Sequence, residues 1–374
     1  MAASRDCEAD DLEAKTAASS RGPAIRRPLQ PGPAALVVLS LALLVCFILS
    51  IGWGAVPIAP RDVLMILLDA LGLPVGAEIL PRDQAVVLAI RLPRALLGLA
   101  VGAGLAIAGA AMQGLFRNPL ADPALIGVST GAALGAVAMI VAGSAVAGAL
   151  APALRPFALP VAAFVGGLLV TLIVQRIATR DGVIEIPTML LAGIAVNALA
   201  SALLGVFTFA SDDQQLRELT FWLMGSLAAI TWSALLPALA LILLPALILR
   251  HLAGALNAML LGEAEAHYLG FDVDRTKRLT IILTALITGA GVAVSGVIGF
   301  VGLVTPHLIR LAIGPDHRSL LPASALLGGC LLLLADMAAR TVVLPAELPI
   351  GIVTASVGGP FFLWLLARRR GLSG

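Results

Sequence analysis

The feature that most limits the fold of this chain is a succession of long apolar runs that are almost free of charge. The first of them, residues 34–53, contains no charged side chain and has about the 20 residues that a helix needs to cross a bilayer. Across the whole chain only 12% of residues are charged, roughly half the share found in a soluble domain. The runs are too long and too uniform to be the alternating strands of a membrane barrel. They therefore predict transmembrane helices, whose backbone groups find partners within each segment.

We predict an all-α, polytopic membrane protein with about ten transmembrane helices. The predicted helices are 34–53, 95–116, 124–141, 158–177, 188–209, 233–249, 279–294, 299–313, 321–343 and 348–367. A further segment, 62–73, is too short to span and is expected to lie along the membrane surface. Small residues recur inside the helices, as at Gly102, Gly109, Gly131 and Gly135. Apolar side chains gain nothing by leaving lipid for protein, so close packing at these glycines is expected to hold the bundle together.

Residues 1–33 differ from the rest of the chain because they are polar, mixed in charge and rich in Ala, Ser and Pro. Such a segment cannot bury a core. We therefore expect a disordered cytoplasmic tail, followed by one transmembrane domain over residues 34–370. The run 34–53 is longer than the apolar core of a secretory signal, which supports a first spanning helix.

The distribution of Lys and Arg sets the predicted orientation, because cytoplasmic loops are richer in both residues. Placing both termini in the cytoplasm puts on that side Arg21, Arg26, Arg27, Arg117, Arg176, Arg180, Arg250, Arg275, Lys277, Arg278, Arg318 and residues 368–370. The outer side then keeps Arg61, Arg82, Arg91, Arg94, Arg155, Arg217 and Arg340. These outer arginines run against the bias and need a separate explanation, either anchoring to lipid headgroups or binding to a partner.

Several classes of activity lack the residues that they require. Neither of the two lysines, Lys15 and Lys277, follows a glycine-rich phosphate loop, so the chain is not expected to hydrolyse ATP. Cysteines and histidines are scattered without metal-ligand spacing, and we expect no metal or other cofactor on this chain. An ion-coupled secondary transporter would need a series of ionisable residues at membrane depth. Only Asp336 and Arg340 are candidates there, four residues apart and able to form a local ion pair. An intramembrane enzyme is disfavoured because no nucleophile with a base and no metal cluster can be identified.

Five sequence blocks occur in order along the transmembrane domain. They are Arg91-Leu-Pro-Arg94 with the glycine-rich helix to Gly114, Arg117-Asn-Pro-Leu-Ala-Asp-Pro123 with Leu125-Ile-Gly-Val-Ser129, Gly299-Phe-Val-Gly-Leu-Val-Thr-Pro-His307, Leu334-Ala-Asp-Met-Ala-Ala-Arg340 with Glu347-Leu-Pro-Ile-Gly351, and Gly358-Gly-Pro-Phe-Phe-Leu363. In this order they resemble the FecCD-type permease family, the membrane subunits of ATP-binding-cassette (ABC) importers for siderophores, haem and vitamin B12. The resemblance covers about residues 34–370 and leaves out the tail.

The resemblance implies a type II ABC importer bundle. It implies a homodimer of this chain, two ATPase subunits that bind ATP and Mg²⁺, and a periplasmic binding protein. The chain would be a transport subunit of the bacterial inner membrane, surrounded by the lipid bilayer, not an enzyme and without a nucleic-acid partner. The blocks look most like haem permeases, which implies haem as the cargo, with ferric siderophore and cobalamin as the alternatives. No arrangement of His, Tyr or Met in the sequence indicates haem ligation by itself.

The resemblance also implies roles for individual residues. Arg91, Arg94 and Arg340 match arginines that meet acidic residues of a binding protein, and such charge-assisted pairs orient a docking partner. The segment 261–270 matches the cytoplasmic coupling segment that would sit in a groove of the ATPase. Its coupling residues are Gly262, Glu263, Glu265, Ala266 and Gly270. The composition of this segment also predicts a short helix that ends at Gly270 with a positive φ.

Two turns are candidates for the gate or for the pore. The segment from Asn118 to Pro123 contains Pro119 and Pro123, which interrupt helix formation and let the next helix start at an offset toward the pore. A rigid loop without contact to cargo is the alternative. The stretch with Pro187 and Thr188 resembles the cytoplasmic gate of the family, although it departs from the small hydroxyl residues expected there.

Overall fold

The computed structural model describes residues 33–54, 57–73 and 80–370. The expected disordered tail, residues 1–33, therefore lies outside the described residues except for Pro33, where the first helix begins. The division into a tail and one permease domain stays a prediction.

Helices make up most of the described chain. They are α1 (Pro33–Gly52), α2 (Pro60–Ala70), α3 (Pro81–Ala85), α4 (Leu92–Leu115), α5 (Val128–Ala149), α6 (Arg155–Ala178), α7 (Ile186–Ala210), α8 (Asp213–Met224), α9 (Trp232–His251), α10 (Ala253–Leu261), α11 (Glu263–Tyr268), α12 (Val273–Ser295), α13 (Val301–Ile313), α14 (His317–Thr341) and α15 (Ile350–Arg370). A π-helical turn, Val86–Arg91, joins α3 to α4, and 3-10 turns occupy Pro123–Ile126 and Pro152–Leu154. Strands β1 (Thr179–Arg180) and β2 (Val183–Ile184) pair antiparallel as a hairpin between α6 and α7.

The described residues contain seven helices that are long and apolar enough to cross a membrane. They are Ala34–Gly52, Pro81–Leu115, Pro152–Ala178, Ile186–Ala210, Trp232–His251, Val273–Ser295 and His317–Thr341. Three shorter apolar helices, Val128–Gly143, Val301–Ile313 and Ile350–Leu365, complete the set. These segments match the predicted helices one by one and in order, which confirms the all-α polytopic fold.

The helix boundaries differ most from the prediction ahead of α4. The prediction began at residue 95, whereas the apolar helix of the structure begins at Pro81 and continues through the π-helical turn. Arg91, Pro93 and Arg94 interrupt the apolar run, but Pro93 lies in the first turn of α4, where proline is tolerated because its missing N–H has no helical partner. Charge and proline in this stretch therefore do not end the helix.

Helices α4 and α12 form the centre of the bundle. The most apolar stretch of Pro81–Leu115 is 78% buried and that of Val273–Ser295 is 72% buried, compared with 11% for Ala34–Gly52 and 17% for Ile186–Ala210. The side chains of α4 and α12 interlock with α9 and α14 in the largest apolar cluster. The core of one subunit is thus filled by packed helices, whereas α1 and α7 are peripheral.

Glycines allow the central helices to approach each other closely. A Cβ added to Gly102 of α4 would collide with the Gly328 carbonyl of α14, and one added to Gly109 would collide with Gly302 of α13. Gly131 of α5 meets Gly166 of α6 in the same way. Backbones that touch in this manner gain van der Waals contact without a hydrophobic driving force, which confirms the packing role predicted for these glycines.

Candidate functional site

The three arginines of the predicted docking group lie together at one end of α4, α14 and α1. Arg91 donates hydrogen bonds to the carbonyls of Ile51 and Gly52 at 2.8 and 2.9 Å, and Arg340 donates to the carbonyl of Ser50 at 2.9 Å. The last carbonyls of a helix lack partners and carry partial negative charge. The two guanidinium groups therefore cap the C-terminus of α1.

Two carboxylates pair with the arginines of this cluster. Asp336 of α14 accepts a hydrogen bond from Arg94 at 2.9 Å. Its other carboxylate oxygen lies 3.1 Å from the Nε of Arg340, which donates to the backbone carbonyl of Asp336, and this pair confirms the local ion pair predicted from their spacing. Glu347 pairs with Arg94 at 2.9 Å. The arginines are almost fully buried: Arg91 is 6% exposed, and Arg94 and Arg340 are each 7% exposed. The Glu347 side chain, by contrast, is 44% exposed. The acidic side chain, and not the arginines, faces outward.

The π-helical turn Val86–Arg91 sets the direction of Arg91. A π-helical turn leaves backbone groups out of the regular ladder, and such turns are frequent at functional sites. Here the carbonyl of Leu88 accepts a hydrogen bond from the indole of Trp232 at 3.0 Å. The turn thus bonds α9 at one point and directs Arg91 toward the end of α1 at another.

The predicted coupling segment forms a short helix, α11, between two glycines with unusual backbone angles. Gly262 has φ 146° and Gly270 has φ 87°, so the positive φ predicted at Gly270 is confirmed. Ala266 is fully buried and belongs to an apolar cluster with Ile184 and residues of α12. One face of α11 is therefore fixed to the bundle.

The opposite face of α11 and its flanks are open to solvent. Tyr268 is 88% exposed, Leu269 is 60% exposed and Leu261, two residues before α11, is 70% exposed. Glu265 is exposed as well. The sequence reading selected the acidic residues and glycines but passed over these apolar side chains, although the single tyrosine of the chain beside charged residues was a visible signal.

Glu263 is attached to the interior by a residue that sequence reasoning did not select. The ammonium group of Lys277, in the first turns of α12, contacts Glu263 at 2.7 Å and the carbonyl of Ile184 in β2 at 2.9 Å. Lys277 is 1% exposed. The structure thus brings the coupling segment next to the hairpin that leads into α7.

Of the two gate candidates, one forms the start of α7 and the other leads into a turn that contacts α7. Thr188, in its first turn, donates to Glu185 at 2.8 Å, and Pro187 is exposed. Further along α7, Asn197 donates to the carbonyl of Ala124 at 3.2 Å. The turn after the Asn118 segment therefore packs against the same helix that begins with the second candidate.

The predicted turn itself is held by its own side chains. Asn118 accepts from the backbone N–H of Leu120 at 2.9 Å, and Asp122 accepts from that of Ala124 at 2.8 Å. Pro123 is buried and begins the 3-10 turn, and Pro119 is half-buried. Burial raises the pKa of the Asp122 carboxyl, and the hydrogen bond from Ala124 opposes that shift. This turn therefore carries a carboxylate whose ionisation is disfavoured by its surroundings.

Among the described residues, no group of three or more His, Cys, Asp or Glu side chains could hold a metal ion. The arrangement contains apolar spanning helices, an arginine cluster that caps α1 at one end and the exposed segment around α11 at the other. These features define a polytopic membrane protein with polar groups gathered at both ends of its helices.

Comparison with known proteins identifies the family. The chain belongs to the FecCD transport family, whose model matches residues 42–368. It is 54% identical over 282 residues to the hemin transport system permease protein HmuU of Yersinia pestis, covering 75% of this chain and 83% of the relative. It is 42% identical over 367 residues to the cobalamin import system permease protein BtuC of Halobacterium salinarum, covering 90% of this chain and 95% of the relative.

A solved structure supports the fold and the class. An inward-facing structure of a putative metal-chelate type ABC transporter superposes with a TM-score of 0.78 at 34% identity, covering 90% of this chain and 99% of that chain. The predicted family is therefore confirmed, and this chain is a permease of the ABC importer class.

Proposed function

We propose that this chain is the membrane subunit of an ABC importer that carries haem from a periplasmic binding protein into the cytoplasm. The observation that carries the proposal is the 54% identity to a haemin permease. The 42% identity to a cobalamin permease, over 90% of this chain, favours cobalamin as the second candidate. A ferric siderophore is the third, since the superposed structure is described as a metal-chelate transporter.

The assembly that fits this proposal has two copies of the chain, two ATPase subunits and one binding protein. A homodimer is supported by the filled core of α4 and α12, because a translocation pathway would then lie between subunits and not within one. ATP and Mg²⁺ would bind to the ATPase subunits, and this chain would hold no cofactor. The proposed location is the bacterial inner membrane, with both termini in the cytoplasm.

The proposed contact with the ATPase is the exposed face around α11. Aromatic and apolar side chains that remain exposed beside a charged residue are typical of binding surfaces. Leu261, Tyr268 and Leu269 supply the apolar part, and Glu265 supplies the charge. Gly262 and Gly270 would set the angle of the segment, while Ala266 and Glu263 would hold it to the bundle.

The binding protein would dock at Arg91, Arg94 and Arg340, but not through freely exposed arginines. Because these side chains are buried and bonded, an acidic partner residue would have to displace Glu347 from Arg94. Glu347 is the exposed member of its pair with Arg94, so it is the carboxylate that a partner residue could replace. Glu347→Gln would free Arg94 without repulsion, whereas Glu347→Lys would repel Arg94.

The gate proposal concerns the beginning of α7 and the turn that packs on it. Pro187 and Thr188 would form the cytoplasmic gate, and Asn118, Pro119 and Pro123 would support the neighbouring wall. The contact between Asn197 and Ala124 supports a joint movement of both parts. Restricting the mobility of residue 188 by a cysteine cross-link between the two copies should block transport and leave ATP hydrolysis measurable.

The cargo is tested by transport into proteoliposomes that contain the permease with its ATPase. Uptake of haemin, cyanocobalamin and a ferric hydroxamate siderophore is compared at equal concentrations, each with and without ATP. We expect ATP-dependent uptake of haemin alone. Uptake of cyanocobalamin without haemin would replace the first candidate by the second, and ATP-independent uptake driven by a proton gradient would contradict the importer itself.

A further inference from the structure

The buried ammonium group of Lys277 bridges two cytoplasmic segments that are far apart in the sequence. It contacts Glu263 of α11 at 2.7 Å and the carbonyl of Ile184 in β2 at 2.9 Å. A lysine that is 1% exposed has lost the hydration of its charge. Its charge is therefore tolerated only while partners of this kind remain in place.

The two partners of Lys277 belong to segments with different proposed roles. Glu263 begins α11, the segment proposed to contact the ATPase. Ile184 closes the hairpin, and Glu185 follows it as the residue before α7. The hairpin is short, with Thr179 paired to Ile184 and Arg180 paired to Val183, and Glu185 continues it by donating its backbone N–H to Ala178 at 3.0 Å. A displacement of Ile184 is therefore passed directly to the start of α7.

We propose that Lys277 is the positioning residue that transmits movement of α11 to the hairpin and the first turn of α7. The inference rests on the proposed function of this chain as an importer subunit. Both hydrogen bonds share one nitrogen atom, so a shift of Glu263 that carries the ammonium group with it stretches the bond to Ile184. Lys277 thus links the segment that would receive the ATPase signal to the segment proposed as the gate.

A cleft between the same segments shows where the movement would occur. It has a volume of about 730 Å³ and is lined by Val183 on the hairpin, by Glu263 and His267 on α11, and by Asp274 on α12. Both Val183 and His267 are exposed. The hairpin and α11 therefore do not fill the space between them, and the ammonium group of Lys277 bonds one residue on each of them.

The test uses the complex of permease and ATPase in proteoliposomes. Haemin is the transport probe, and the binding protein is added to the assay. Lys277→Met keeps the length and apolar stem of the side chain but removes the ammonium group. Lys277→Arg keeps a positive charge and donors. Arg278→Met is the matched control, because Arg278 is the exposed neighbour on the same helix and donates a hydrogen bond to the carbonyl of Asp274 within that helix.

We expect Lys277→Met to lower the haemin transported per ATP hydrolysed by about 5- to 150-fold, the range that coupling between two sites usually spans. Lys277→Arg should recover part of this ratio, and Arg278→Met should leave it unchanged. A merely structural role would instead lower the amount of folded complex and leave the ratio intact. A normal ratio in Lys277→Met would overturn the inference.

A second measurement does not depend on the cargo. Spin labels at Val183 and His267, in a variant whose native cysteines are replaced, report the distance between the hairpin and α11. Lys277→Met should broaden this distance distribution, whereas Arg278→Met should not. An unchanged distribution would contradict the bridge even if haemin is not the cargo. Failure of the wild-type complex to transport haemin, with the broadening still present, would count against the proposed function alone.

Discussion

Replacing Asp336 by Asn should destabilise the protein more than any other single charge removal in the arginine cluster. Both of its partners are buried: Arg94 contacts one carboxylate oxygen at 2.9 Å and Arg340 contacts the other at 3.1 Å, and the Asp336 side chain is 2% exposed. Removing one member of a buried ion pair typically costs about 3–5 kcal/mol, because the remaining charge stays in the interior without compensation. The amide of Asn can still accept one hydrogen bond, which places the expected loss toward the lower end of that range.

Glu347→Gln is the matched control for this prediction. Glu347 contacts the same Arg94 at 2.9 Å, but its side chain is 44% exposed, and exposed pairs contribute about 0–1 kcal/mol. Thermal unfolding in detergent, followed by size-exclusion chromatography of heated samples, gives both values. A loss of about 3 kcal/mol corresponds to a decrease of roughly 6–12 °C in Tm, whereas the control, at about 0–1 kcal/mol, should lower it by about 4 °C at most. Equal decreases for the two variants would refute the reasoning that burial of the arginines makes Asp336 indispensable.

Three further predictions concern the turn, the helix packing and the coupling segment. Asp122→Asn should flatten the pH dependence of Tm and raise Tm at neutral pH. Burial raises the pKa of the Asp122 carboxyl, so the stabilising contribution of the protonated carboxyl is present below about pH 4 and is lost as the pH rises through the raised pKa. Gly102→Ala should cost about 1–3 kcal/mol through overpacking, measured as a decrease in Tm, whereas Gly359→Ala, where an added Cβ meets nothing within 4 Å, should not. Gly270→Val and Glu265→Arg should abolish transport while the protein still inserts into membranes, and Gly270→Asn should be tolerated because Asn adopts a positive φ more readily. Co-purification of the ATPase together with a hydrolysis assay separates failed assembly from futile turnover, and normal transport in Gly270→Val would exclude the segment from the mechanism.

The sequence was sufficient to predict the spanning helices because the signal for each lies within one segment. An apolar run of about 20 residues needs no knowledge of its neighbours to be recognised. The exception is the region before α4, where Arg91 and Arg94 appear too polar for a continuous helix. Their partners, the end of α1 and Asp336, are 39 to 242 positions away, and only the folded structure shows that these charges are neutralised there.

The sequence predicted those features of the candidate site that depend on one residue and its immediate neighbours. Gly270 needs a positive φ for reasons that are local, and this prediction is confirmed. The role of Lys277 was not predictable, because its bond to Ile184 spans 93 positions and the residue type alone suggested only a basic cytoplasmic loop. The docking role of the arginines stays a prediction, and their burial could not be read from the sequence, since charge on the outer side is equally consistent with headgroup anchoring.

A buried cation joins two elements at each end of the molecule, with the same kinds of partner. At each end a cation from a spanning helix enters the interior and bonds both a carboxylate and the backbone carbonyl at the end of another element: Arg340 at Ser50, and Lys277 at Ile184. A carbonyl at the end of an element cannot rotate away as a side chain can, so the bond fixes the position of the whole element. The outward-facing residues beside these anchors, Glu347 at one end and Tyr268 at the other, remain exposed. A partner that binds them would therefore act on a backbone already fastened to the spanning helices, and its force would move those helices and not only the loop that it touches.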